Sequence, residues 1–257
     1  MNIVIALPGA LFVGFTLGMF GSGGSILTVP ILVFLLGLDE KVAITSSLAI
    51  VGVVATFASL PYLRSRQVDW RTVILFGGPG VLGSYLGAWS SAYVSGTVQL
   101  MTFAIVMLLA SFLMLRPIAV TMDQRPGTRR GLHKVMSEGL AAGMLTGFVG
   151  VGGGFLIVPA LVLLSGLSMQ RAVATSLTII VLQCLVGFVT HVEILQTEGL
   201  TLNATIIGFF AIAGVLGSYG GTALATRLPQ DRMKQGFGAF LILIATLILL
   251  RSTIISL

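Results

Sequence analysis

Charge is what this sequence has least of. Only 9% of its 257 residues are Asp, Glu, Lys or Arg, with two histidines, His133 and His191, and a single cysteine, Cys184. One cysteine excludes an internal disulfide and any cysteine metal cluster. The eight carboxylates and two histidines stand in no triad or ligand spacing, so an enzyme is not expected, and no residue pattern calls for a cofactor or a metal. The N-terminus lacks the basic flank and small-residue cleavage site of a removable signal peptide, so its first apolar run is expected to be retained.

What fills the chain instead is hydrocarbon. Hydrophobic residues make up 56% of it, and the mean hydropathy is +1.07. Runs without Asp, Glu, Lys or Arg extend over Asn2–Leu38, Val42–Leu63, Thr72–Leu115, Gly139–Gln170, Ala172–Val192, Gly199–Thr226 and Gln235–Leu250. A bilayer core of about 30 Å needs about 20 apolar residues per helix, so several runs must hold more than one element. The fold class is therefore an all-α, polytopic membrane protein. The net charge of +6 sits in short loops between these runs, where it encodes topology and does not call for nucleic acid.

The chain repeats itself. Gly18–Leu48 laid over Gly147–Leu177 at a constant offset of 129 matches at 15 of 31 positions, including Gly21/Gly150, Gly23/Gly152, Gly24/Gly153, Pro30/Pro159 and Ser47/Ser176. A second block, at an offset of 134, reads GVLGSY at both Gly80–Tyr85 and Gly214–Tyr219. A tandem duplication follows: a first transmembrane repeat over 1–115, a basic cytoplasmic linker over 116–136, and a second repeat over 137–257.

The paired GxGGG…VP signatures, each followed about 15 residues later by Ser-Ser or Thr-Ser, resemble the TauE/SafE family, also called the sulfite exporter or TSUP family. The resemblance covers essentially the whole chain; the first copy departs from it at Ser25, where the second has Gly154. It implies a multi-pass transporter of a bacterial or archaeal-type cytoplasmic membrane whose partner is a small sulfur-containing anion such as sulfite, thiosulfate or an organosulfonate. It does not distinguish among these.

Five elements are expected per repeat: an entry helix, a glycine break, a short half-helix near Thr28–Gly37 or Ile157–Gly166, and three more helices. The third helices are expected near Val42–Leu60 and Ala172–His191. If each repeat crosses the bilayer an odd number of times, the two copies are inverted. Twelve of the 14 Lys and Arg then share the linker side, leaving Lys41 and Arg251 opposite, whereas even crossing gives nine and five. Lys and Arg favour the cytoplasmic side, so inversion is expected. Three spans plus a re-entrant hairpin and five spans with one short satisfy it equally, and four spans plus four is the alternative.

In inverted repeats, broken helices meet near the midplane and turn half-helix N-termini toward anionic groups. Glycines let backbone N–H groups converge there. The candidate substrate-binding residues are Gly21, Ser22, Gly23, Gly24 and Ser25 in the first break, and Gly150, Val151, Gly152, Gly153 and Gly154 in the second. The hydroxyls of Thr45, Ser46, Ser47, Thr175 and Ser176, and the mid-helix Gln183, join them. Pro30 and Pro159 are expected in the first turns of the half-helices, marking the breaks, with Thr28 as a cap. Glu138, His191 and Glu193 are the candidates for a coupling proton or ion. The GxxxG pairs Gly83/Gly87 and Gly217/Gly221 are expected to serve helix packing. A passive anion channel, or a transporter of another small organic anion, is the alternative function, and the oligomeric state is open.

Overall fold

A computed structural model describes residues 3–115, 132–150, 154–163, 165–225 and 227–255. Every element among them is helical: α1 (Ile3–Phe20), α2 (Gly23–Pro30), α3 (Glu40–Arg64), α4 (Trp70–Thr72), α5 (Gly78–Ser91), α6 (Gly96–Leu115), α7 (Leu132–Val149), α8 (Gly154–Leu163), α9 (Met169–Thr197), α10 (Ala204–Ala225) and α11 (Gln230–Ile255). Wider π turns extend α2 over Ile31–Leu35 and join α4 to α5 over Val73–Gly77. Among the described residues, five helices are long and apolar enough to cross a membrane: Glu40–Arg64, Trp70–Ser91, Met169–Thr197, Ala204–Ala225 and Asp231–Leu249. The shorter α1, α2 and α6 are apolar as well. The protein is thus an all-α, multi-pass membrane protein. Exposed Leu82, Ile105, Leu109, Leu185, Ile212, Leu216 and Leu243 supply its lipid-facing surface.

Glycine draws the helices together in two parallel pairs. A Cβ on Gly14 would overlap the carbonyl oxygen of Gly214, and one on Gly18 that of Ser218, so α1 lies against α10 with both chains advancing four residues per contact. Gly217 and Gly221 meet Leu11 and Phe15 in the same seam. The α5/α7 seam repeats this, with Gly139, Gly143 and Gly147 against the carbonyls of Phe76, Gly80 and Ser84, and Gly83 and Gly87 against Leu140 and Met144. Lipid tails are as apolar as Leu, so attraction between such helices comes from close van der Waals packing. Only glycine lets these backbones come so near.

Between the two pairs run α3 and α9, the most buried of the long spans. They are antiparallel: Lys41 pairs with Glu198, Leu48 packs over Gly187, and Cys184 lies 3.2 Å from a Cβ placed on Gly52. The buried core, Ile44, Val51, Val54, Leu177, Ile180 and Cys184 among it, centres on this pair.

The half-helices start earlier than the sequence implied. The first begins at Gly23 and the second is already helical at Gly154, both inside the glycine stretch, so Pro30 closes the α-helical part of α2 and Pro159 lies within α8. Neither proline occupies a first turn, and neither makes the break. The lost N–H falls late in each short helix, and at Pro30 the π turn follows directly. Thr28 is likewise no cap; its Oγ1 donates to the Gly24 carbonyl at 2.6 Å within α2. The entry helix α7 is already helical at Leu132, inside the segment expected to be linker.

Candidate functional site

Each break starts with a glycine held in the left-handed region, Gly21 at φ 69° and Gly150 at φ 68°. L side chains avoid this region because Cβ crowds the next carbonyl. Each glycine ends its entry helix: Gly21 N donates to Leu17 O at 2.8 Å and Gly150 N to Thr146 O at 2.9 Å. The chain then turns back. A Cβ on Gly24 would stand 2.6 Å from both Leu17 Cβ and Val13 O, so Gly24 lets α2 fold along α1. The described part of α8, ten residues, rises about 15 Å, half of the bilayer core.

The serines of the third helices cross between the repeats. Ser47 Oγ donates to Gly150 O at 3.2 Å and to Ile44 O at 2.8 Å. Ser176 Oγ donates to Gly21 O at 3.2 Å and to Val173 O at 2.9 Å. Both serines are fully buried. A hydroxyl has one hydrogen, and here it is shared between the serine's own helix and the other repeat's break.

A second matched pair sits beside them. Tyr62 and His191 occupy equivalent positions, 129 apart. Tyr62 Oη donates to Gly18 O at 3.4 Å, and His191 Nε2 lies 3.2 Å from Gly147 O. A carbonyl only accepts, so Nε2 carries the imidazole hydrogen. Gln99 Nε2 donates to the neighbouring Phe148 O at 3.0 Å. Sequence reasoning missed Tyr62 and Gln99; the offset that matched the repeats, applied to His191, leads to Tyr62.

The other candidates scatter around this centre. Ser22 is buried and its Oγ is 3.5 Å from Phe20 O. Ser46 is buried. Thr45 Oγ1 donates to Lys41 O at 2.9 Å, while Thr175 Oγ1 accepts from Asp69 N at 3.1 Å. None of these residues caps α3, since Asp39 does that by accepting from Lys41 N at 2.9 Å. Gly23 and Ser25 fall in the first turn of α2, with the Ser25 side chain outside the described part, and Gly154 opens α8. Val151, Gly152 and Gly153 lie outside the described residues.

Gln183 is 1% exposed. Its Oε1 accepts from Thr146 Oγ1 at 3.3 Å, and its Nε2 has no partner among the described residues. That nitrogen occupies the space Gly80 leaves, 2.6 Å from where a Cβ would stand. Of the three coupling candidates, His191 is tied to Gly147, Glu193 is exposed, and Glu138 has a buried, unpartnered Oε2. Glu138 lines a groove of about 440 Å³ with Leu109, Leu145, Leu156 and Pro159. A groove of about 340 Å³ beside Leu27 and Pro30 is its counterpart in the first repeat. Tyr85 and Tyr219, matched in the repeats, are about half exposed.

The family model described as Sulfite exporter TauE/SafE matches residues 6–248. A probable membrane transporter protein of Xylella fastidiosa strain Temecula1 is 31% identical over 256 residues, covering 98% of this chain and 96% of the relative. The probable membrane transporter protein YunE of Bacillus subtilis is 30% identical, with 91% of each chain covered. A probable membrane transporter protein of Methanocaldococcus jannaschii is 26% identical over 82% of this chain and 80% of its own. No solved structure matches. With its glycine-broken helices, its multi-pass helical fold and a match over nearly its full length, the chain belongs to the TauE/SafE family of membrane transporters.

Proposed function

We propose that the protein is a secondary transporter of small sulfur-containing anions, sulfite, thiosulfate or an organosulfonate, working by alternating access between two inverted repeats. The observation that carries this reading is reciprocal: each repeat's serine holds the glycine break of the other, Ser47 to Gly150 and Ser176 to Gly21. Two breaks bound in this way form one unit at the contact between repeats, where rocking of one against the other opens first one side and then the other. The antiparallel α3 and α9 support inversion, since helices in equivalent places of two repeats run in opposite directions. The Lys41–Glu198 and Asp69–Thr175 contacts support it as well, since inversion brings these opposite ends of α3 and α9 to common surfaces.

The anion is held by backbone N–H groups at the starts of α2 and α8, joined by the Gln183 amide. The serines fix the breaks and do not themselves carry the anion. The sulfur chemistry is supported by the family's description as sulfite exporters. Coupling to a proton or ion would run through Glu138, whose carboxylate oxygen lies buried in the groove beside Pro159.

The test is counterflow in proteoliposomes. Labelled sulfite uptake should saturate and accelerate when unlabelled sulfite is loaded inside. Flux that neither saturates nor responds to the loaded anion identifies a passive channel, and no flux of any sulfur anion sinks the reading.

A further inference from the structure

The two repeats differ in length at one place. Their offset is 129 where the third helices start, at Glu40 and Met169, and 134 where GVLGSY recurs at Gly80 and Gly214, so the second repeat is five residues longer between these points. Four of the five lengthen a helix: α3 has 25 residues and α9 has 29, about one further turn. That turn carries α9 to Thr197 and sets Glu198 against Lys41 of the first repeat, an ion pair between the repeats at the start of α3.

The opposite end of the same two helices is closed differently. Where α9 begins, the residue matching Lys41 is Gln170, neutral and exposed. There α3 stops at Arg64, a turn short, and the chain reverses through Arg66, at φ 54°, to Asp69. The Asp69 carboxylate accepts from Arg71 N and Thr72 Oγ1 of its own repeat. Its N–H reaches the second repeat, donating to Thr175 Oγ1 at 3.1 Å. Among the described residues, the polar closure is thus a pair of full charges at one end of α3 and α9 and a neutral hydrogen bond at the other.

The charged end is the one away from the linker. Helix α7 follows the linker, and the Trp70–Ser91 span runs parallel to it, Phe76, Gly80 and Ser84 meeting Gly139, Gly143 and Gly147 in turn. The turn before Trp70 therefore lies on the linker side, and Lys41 and Glu198 lie across the bilayer from it.

We infer that the added turn of α9 is a one-sided latch: the Lys41–Glu198 pair holds the two repeats together at the surface opposite the linker, and breaking it favours the state open at that surface. This rests on the alternating-access reading above. A pair made in one state and broken in the other stabilises only the first, so it acts as a bias between them. The two side chains are 19% and 35% exposed, and partly exposed pairs move an equilibrium about two- to fivefold. Such a bias tilts a carrier without locking it.

Matched alanines report the two ends. Ala43 lies two residues beyond Lys41 on α3, and Ala172 stands at the equivalent place on α9, both fully buried. Each is replaced by cysteine in a Cys184→Ala background, and the reaction of the purified full chain with an uncharged, water-soluble maleimide is followed in detergent. Lys41→Gln and Glu198→Gln should each speed labelling at Ala43→Cys about two- to fivefold and slow it at Ala172→Cys. The exchanged pair Lys41→Glu/Glu198→Lys should return both rates toward those of the unaltered latch. High salt screens a partly exposed pair, so it should move the unaltered latch as either substitution does and leave Lys41→Gln unmoved; this arm does not depend on the folding of a latch variant. Unchanged rates overturn the inference. A gain at Ala43→Cys with no loss at Ala172→Cys overturns it too, because the pair then only clamps two helix ends locally. Sulfite counterflow by the wild type judges the transport reading separately: counterflow without reciprocal labelling removes the latch and leaves the carrier, and reciprocal labelling without counterflow leaves the latch and removes the sulfur substrate.

Discussion

Gly21, Gly37, Gly150 and Gly166 share a left-handed backbone, with φ between 66° and 69°, yet they do not share surroundings. A Cβ on Gly37 or Gly166 meets nothing within 4 Å, whereas one on Gly21 would stand 2.8 Å from Ser176 Oγ and 2.9 Å from Val173 Cα. Alanine at Gly37 should therefore lose only the backbone term, about 1–2 kcal/mol. Gly21→Ala should lose that and more, because a helix backbone must retreat. Thermal unfolding in detergent measures the difference, and equal losses at the two sites would show that close approach contributes nothing. Ser176→Ala alone should remove about 1 kcal/mol with its hydrogen bond. Combined with Gly21→Ala it should remove less than the sum, since the oxygen that crowds the new methyl is gone; a strictly additive pair would contradict the contact.

At the scale of elements, the two glycine seams decide which helices are neighbours. Alanine is worth up to about 1 kcal/mol over glycine in a helix interior, so Gly208→Ala, with open space around it, should leave the unfolding temperature unchanged or raise it. Gly18→Ala and Gly147→Ala should lower it by several degrees, because the methyl overlaps the carbonyls of Ser218 and Ser84. A rise at Gly18 would mean that α1 and α10 are not in contact there. The packing role of Gly83, Gly87, Gly217 and Gly221 was legible from spacing alone, as was the all-helical, multi-pass character, because hydropathy and glycine punctuation are local signals. The starts of α2 and α8 were not: Pro30 and Pro159 suggested first turns, but amide groups in a low-dielectric interior gain more from helix than a proline late in the helix takes away. The partners of Ser47 and Ser176 lie 103 and 155 residues away in the chain. A repeat alignment identifies the serines as equivalent, yet it holds no information on which carbonyl each one meets.

For the whole molecule, the proposed inversion of the repeats draws support from two independent directions, the distribution of basic residues and the contacts between helices. Twelve of 14 Lys and Arg share a side only if the repeats are inverted. The same inversion puts Lys41 with Glu198 at one surface and brings Asp69 to Thr175 near the other. Even crossing would place Lys41 and Glu198 on opposite surfaces, a bilayer apart. Single cysteines in a Cys184→Ala background, probed with an impermeant maleimide on intact cells and on inverted vesicles, separate the two topologies. Gln67, Ser168 and Leu228 should label only in inverted vesicles, and Ser95 and Asn203 only in intact cells. The informative position is Ser168, in the loop after α8: it shares a side with Gln67 if the repeats are inverted and stands opposite if they are parallel. Labelling of Ser168 together with Ser95 would therefore refute inversion and, with it, alternating access by rocking of opposed repeats.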